Sequence, residues 1–262
     1  MRDANTTVID EPFPTTGRAQ LKIGVGACRL VVRPGSQTPW VAGSYRDPSD
    51  SLPCRIERRG EQMEITQQQN WTDAIGRIGR FPAVFDLALG MAVPYELSLE
   101  TGASEVDADL GGLPLSRLSV KQGAGKLTLD FSAPNPTPMD RMSLGNGASG
   151  IEMHNLANAN CAEMSIEGGL AGYRFDFGGT LQRDCQVRIS TGVSGVELIV
   201  PPTTAAKIYA ESVLGGIDMG DGFMKKEGAF WNEAALAGRT PVLTIRANVA
   251  LGGMKIRATG GR

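Results

Sequence analysis

The stretch LSVKQGAGKLTL, residues 118–129, has an apolar residue at its first, third, tenth and twelfth positions, around a small four-residue corner, GAGK. Seven more stretches repeat the design: LKIGVGACRLVV (21–32), LSLETGASEVDA (97–108), MSLGNGASGIEM (142–153), MSIEGGLAGYRF (164–175), VRISTGVSGVEL (187–198), IYAESVLGGIDM (208–219) and IRANVALGGMKI (245–256). The eight copies hold 32 apolar-column positions. At 41% apolar composition about 13 would be apolar by chance, yet all are. Each apolar-x-apolar piece has the period of a strand with one buried face. From residue 97 to residue 208 the copies start 21, 24, 22, 23 and 21 residues apart, a spacing suited to a solenoid. Two short strands, a corner and a return loop fill that period, and stacked coils would lie about 4.8 Å apart. The sequence therefore predicts an all-β fold, a β-solenoid with four apolar columns lining its interior. A meander of hairpins is the rival reading. Stacking explains better why each column keeps one residue class.

Composition agrees. Fourteen of the 34 glycines sit in the eight corners, where glycine permits positive φ and close backbone approach. The third corner position is always Cys, Ser, Gly or Ala, which suits a bend without room for a large side chain. Loops such as FSAPNPTPMDR and NLANANCAE are rich in turn residues. Two insertions interrupt the array. Residues 33–94 hold an alternating segment, 55–66, around a Gly60 turn; residues 220–244 hold a short helix near 229–237, closed by Gly238. Both suit caps that blunt the solenoid ends. This divides the chain into an N-terminal part and cap, 1–94, and a main array, 95–262, with the 220–244 insertion.

Charge and rare residues exclude several functions. Twenty-six basic and 28 acidic residues leave a net charge of −2, which gives no reason to expect non-specific nucleic-acid or anionic-membrane binding. A single histidine, His154, excludes multi-histidine metal centres. None of Cys28, Cys54, Cys161 and Cys185 forms a CxxC pair, so four reduced, mostly buried thiols are expected. No apolar run reaches the ~18 residues of a membrane span, and residues 1–14 lack an apolar signal core. The sequence predicts a soluble, cytoplasmic chain.

Two candidate sites follow. One residue past each second strand lies a column of Asp109, Asp130, His154 and Asp176. Stacked carboxylates would raise one another's pKa unless a cation or charged His154 lay between them, so the column is a candidate cation or acid/base site. The same residues also suit turns. A second candidate is the aromatic and basic loop with Trp71, Arg77, Arg80 and Phe81, which suits a partner contact or a packed cap. The residues between paired apolar positions, including Glu152, Arg174 and Glu197, should form a solvated ladder of alternating charge.

The serial GAG- and GASG-type corners, together with the lead-in AVPYELSLETGASEVDADLGGLPLSRLSVKQGAG, resemble the toast-rack domain families. These include the soluble domain of LiaF-like proteins of cell-wall-active-antibiotic responses, and related proteins classed as adhesins. The resemblance covers roughly residues 19–256. It implies a right-handed, single-stranded β-helix-like stack of bacterial origin, and binding or regulatory work at the cell envelope. It carries over no catalytic residues and no cofactor. It also implies that the chain could be the soluble part of a membrane-anchored envelope protein. The expected function is a non-enzymatic interaction module, a regulator or scaffold in the envelope stress response, binding a protein or an envelope component. Two alternatives stay open: a polysaccharide-acting enzyme using Asp109, Asp130 and Asp176, and an adhesin-like structural protein that self-assembles. A homo-oligomer fits either form of binding module.

Overall fold

A computed structural model describes residues 6–15, 17–48, 52–67 and 83–258. Strand β1 (Thr6–Glu11) precedes the first repeat copy, which is split into β2 (Ala19–Val25) and β3 (Arg29–Pro34). The first insertion supplies β4 (Val41–Arg46), β5 (Cys54–Arg59), β6 (Gln62–Gln67) and β7 (Val84–Leu89). The next five copies are each one long strand: β8 (Tyr95–Asp109), β9 (Leu115–Asp130), β10 (Met139–His154), β11 (Cys161–Asp176) and β12 (Cys185–Ile199). The seventh copy is split into β13 (Ala205–Leu214) and β14 (Ile217–Met219). After it come β15 (Phe223–Lys226), β16 (Ala229–Asn232) and a four-residue helix α1 (Glu233–Leu236), then the eighth copy as β17 (Val242–Leu251) and β18 (Met254–Arg257). All eighteen strands belong to one sheet.

The stacking expected from the columns is present. Leu97, Leu118, Met142, Met164 and Val187 pair in parallel register, as do Ala108, Leu129, Met153, Phe175 and Leu198 after the corner. Two features differ from expectation. In five copies the corner does not end the strand, because its residues keep pairing with the neighbouring coils; Ala103, Ala124, Ala148 and Leu170 form one such row. Coil order also departs from chain order. Strand β12 pairs with β17 and β18, and these pair with β13 and β14, so the eighth copy lies between the sixth and the seventh. The outward charge column consequently reads Glu152, Arg174, Glu197, Lys255, Asp218. Chain order would have set Glu197 beside Asp218; the exchange places Lys255 between them, favourable for neighbouring side chains on one sheet face.

Of the 32 column residues only Ala210, Ile217 and Met219 are not buried, and all three belong to the terminal seventh copy. Fully burying a Leu, Ile or Phe contributes about 1.5–3 kcal/mol, so these columns dominate the stability. Buried asparagines bind the return loops together. Asn135 Nδ2 donates to Leu115 O (2.8 Å), Asn158 Nδ2 to Phe131 O (2.9 Å) and Asn160 Nδ2 to Asn135 O (3.2 Å). They satisfy loop carbonyls that the sheet leaves unpaired.

At the N-terminal end β6 and β7 add parallel to β2 and β3, while β5 and β4 close them antiparallel. The hairpin of β5 and β6 turns at Gly60, φ 62°. At the other end β16 pairs with only Lys207 and Ile208 of β13. The helix expected near 229–237 shrinks to the single turn α1, because 229–232 pair as β16. No helix among the described residues is long and apolar enough to cross a membrane.

Candidate functional site: a groove beside the corner ridge

The corner glycines fall into classes that sequence alone merges. At the first corner position, a Cβ on Gly102 would lie 2.7 Å from Gly26 O, and one on Gly147 2.6 Å from Gly123 O. These glycines let each coil sit on the carbonyl of the one before. The third position faces inward, where Cys28, Ser104, Ser149 and Ser194 are buried. The inside of the bend is polar. Gln67 Oε1 accepts from the N–H groups of Gly26 (3.0 Å) and Ala27 (3.2 Å), and Ser104 Oγ donates to Gly26 O (3.0 Å).

The fourth position behaves differently. It is Glu105 and Lys126 on two early coils and then Gly150, Gly172, Gly195, Gly253 and Gly216 on five successive ones. A Cβ on Gly150, Gly172, Gly195 or Gly216 would meet nothing within 4 Å. Neither packing nor backbone strain requires glycine there. Their effect is to floor a groove of about 770 Å³ on the outer face after the corner.

An apolar ridge precedes the groove's glycines on four of these coils. Leu170, Val193, Leu251 and Leu214 stand side by side on adjacent coils at the second corner position, 61%, 48%, 46% and 66% exposed. On the first four coils the same position is Ala27, Ala103, Ala124 and Ala148. The groove itself is lined by the charge column, where Lys126 pairs with Glu152 (3.2 Å), Arg174 with Glu197, and Arg257 with Asp218 (2.9 Å). An exposed apolar row beside a bare backbone floor and a polar rim suits contact with an extended partner.

The aspartate column stands in register, with Asp109 beside Asp130 and Asp130 beside His154. Each carboxylate is engaged at a turn. Asp109 accepts from Gly111 N–H (2.9 Å) and Ser132 Oγ (2.7 Å), Asp130 from Asn155 Nδ2 (2.7 Å), and Asp176 from Gly178 N–H (2.9 Å). His154 Nε2 lies 3.9 Å from Glu152 Oε2. Among the described residues no three His, Cys, Asp or Glu side chains are grouped so as to hold a metal ion. Trp71, Arg77, Arg80 and Phe81 lie outside the described residues. All four cysteines are free thiols; burial pushes Cys28 up to about 12, and Cys54 and Cys161 up to about 11.

The ridge and groove were missed in the sequence, although their letters were visible. After the fourth copy the second corner position changes from Ala to Leu or Val, and from the fourth copy onward the last corner position is Gly.

Stacked coils that bend at small-residue corners define a protein of the toast-rack class. The family model described as the N-terminal domain of toast_rack, DUF2154, matches residues 3–140, and the chain belongs to that family. Among solved structures, a "putative cell adhesion protein" from Clostridium sporogenes is similar at 13% identity and TM-score 0.50, over 97% of this chain and 98% of that one. A "putative adhesin" from Bacteroides fragilis is similar at 7% identity and TM-score 0.42, over 96% and 97%. The first of these shows the shared fold. No curated protein matches the chain.

Proposed function

We propose that the chain is a non-enzymatic binding module of the bacterial cell envelope, acting as a regulator or scaffold in the envelope stress response. The observation that carries this reading is the row Leu170, Val193, Leu251 and Leu214, exposed to solvent beside a groove whose glycines serve no packing need. A solvated face gains nothing from four stacked apolar side chains, whereas a contact face does. Further support comes from the carboxylates of the aspartate column, which are hydrogen-bonded within turns and do not oppose one another across a cleft. The word adhesion in the description of the Clostridium sporogenes structure agrees with a surface role.

Co-sedimentation with cell-wall sacculi and with envelope fractions tests the reading. The protein should be retained, and Gly195→Leu, which fills the groove, should lower retention about tenfold without changing thermal stability. Equal retention of the variant, or no retention of the parent, would contradict it. Turnover of a glycan panel that is lost in Asp130→Asn would establish the enzyme alternative instead.

A further inference from the structure

Cations on the outer face before the corner divide into two groups. On the early coils they are paired. Lys22 meets Glu64 (3.1 Å) and Glu100 (3.0 Å), Lys121 meets Glu100 (3.2 Å), Arg18 meets Glu96 (3.3 Å) and Arg141 meets Glu163 (3.0 Å). At the C-terminal end of the stack, Arg188, Arg246, Lys207, Lys225 and Lys226 form no ion pair with any carboxylate among the described residues.

Arg188, Arg246, Lys207 and Lys226 lie on one face, whereas Lys225 shares the opposite face of its hairpin with Phe230. Arg188 and Arg246 are neighbours on β12 and β17, and Arg246 lies over the Tyr209 ring at 4.8 Å. Lys207 sits beside Trp231, and both Lys207 (4.1 Å) and Lys226 (4.9 Å) place their ammonium groups over its ring. Met224 pairs with Trp231 across the terminal hairpin and is 61% exposed. Val213 and Leu214, 80% and 66% exposed, belong to the same terminal coil. Within four residues of these cations lie Asp184, Glu211, Asp221 and Glu227, and the Asp184 carboxylate accepts from Val242 N–H (2.7 Å).

We propose that this end of the solenoid docks on an anionic lipid bilayer. Lys207, Lys226, Arg188 and Arg246 would meet the headgroups, with Met224 and Trp231 in the interfacial layer. Two features favour a bilayer over a soluble polyanion. Lys226 shares its hairpin with the exposed Met224, and Lys207 and Lys226 flank an indole, a side chain that prefers the membrane–water boundary. A dissolved polyanion needs only the charge.

Sedimentation of the full chain with vesicles tests the proposal. Vesicles of phosphatidylcholine with a quarter phosphatidylglycerol should bind the protein in a salt-sensitive way, and pure phosphatidylcholine should not. Lys207→Gln with Lys226→Gln should weaken binding about 20-fold. Arg188→Gln, at an exposed strand residue that forms no ion pair among the described residues, should weaken it about fivefold. Met224→Ser should weaken vesicle binding severalfold while leaving binding of soluble polyphosphate unchanged. No binding to anionic vesicles, or full binding by the lysine and arginine variants, overturns the proposal. Polyphosphate binding together with a silent Met224→Ser would assign the surface to a soluble polyanion.

Discussion

The hydroxyl of Tyr173 donates to Asn146 Oδ1 on the preceding coil at 2.8 Å, through space that a side chain at Gly168 would occupy. Gly168 and Asn146 are register partners, so the tyrosine reaches across the inside of the bend to the coil beneath. The glycine is therefore needed for what its neighbour does, since nothing in its own backbone demands it. Gly168→Ala should cost about 2 kcal/mol from overpacking, and Tyr173→Phe about 1 kcal/mol from the lost hydrogen bond. Together they should cost less than the sum, because the second change removes the atom nearest to the new Cβ. Urea unfolding of the cycle gives the coupling; strict additivity would contradict the assignment.

Corner glycines should differ in tolerance according to what a Cβ meets. Gly147→Ala would press on a carbonyl of the neighbouring coil and should cost about 2 kcal/mol or more. Gly195→Ala faces open space and should be neutral, or stabilising by about 0.4–1 kcal/mol through the unfolded state. Thermal melts of the two variants check this directly. Equal losses would mean that both glycines serve the bend.

The columns could be read from sequence because apolar-x-apolar pieces fix which face of each strand is buried. Coil order could not. The seventh and eighth copies carry the same pattern, and either order buries the same columns. Only the run Glu197, Asp218, Lys255 carried a hint, since chain order would have set two acids side by side. The groove stayed hidden for another reason. Gly147 and Gly150 are the same letter three residues apart, and only the neighbouring backbone distinguishes a glycine under a carbonyl from one under solvent. The aspartate column was visible as a stack, but its hydrogen bonds to Ser132, Asn155 and Gly178 depend on loop geometry that the repeat does not encode.

Thiol chemistry should follow burial. Cys28, Cys161 and Cys185 are buried, Cys54 is half-buried, and desolvation pushes every one of these thiols up. Near pH 8 the native protein should react slowly with a thiol reagent, with Cys54 first, because thiolate is scarce. After denaturation four thiols should titrate. A count of two would reveal a disulfide.

Glu100 lies between Lys22 and Lys121, and its hydrogen bond from Lys22 holds the carboxyl below its ordinary value of 4.5. Hydrogen bonds to Glu100 and Glu64 raise Lys22 in turn. A lowered carboxylate stabilises the fold above its unfolded pKa, and the gain is lost as pH falls through the folded value. The raised lysine contributes below its unfolded pKa, and that gain is lost as pH climbs through the raised value. The pair is partly exposed, so Glu100→Gln should cost about 0.5 kcal/mol at neutral pH and nothing in strong acid. A cost independent of pH would contradict the ion-pair account.

The alternation of the outward charge column exists only if the eighth copy lies between the sixth and the seventh, since that order sets Lys255 between Glu197 and Asp218. Cysteine pairs measure the order directly. Ser190 and Asn248 are register partners on adjacent coils, whereas Ser190 and Glu211 would be partners only if the coils followed the chain. Neighbouring strands lie within the Cα separation that a disulfide spans, and strands two coils apart do not. Under mild oxidation, read by peptide mapping, Ser190→Cys with Asn248→Cys should form a disulfide, and Ser190→Cys with Glu211→Cys should not. The reverse result would place the seventh copy against the sixth, set Glu197 beside Asp218 and contradict the stacking order of the fold.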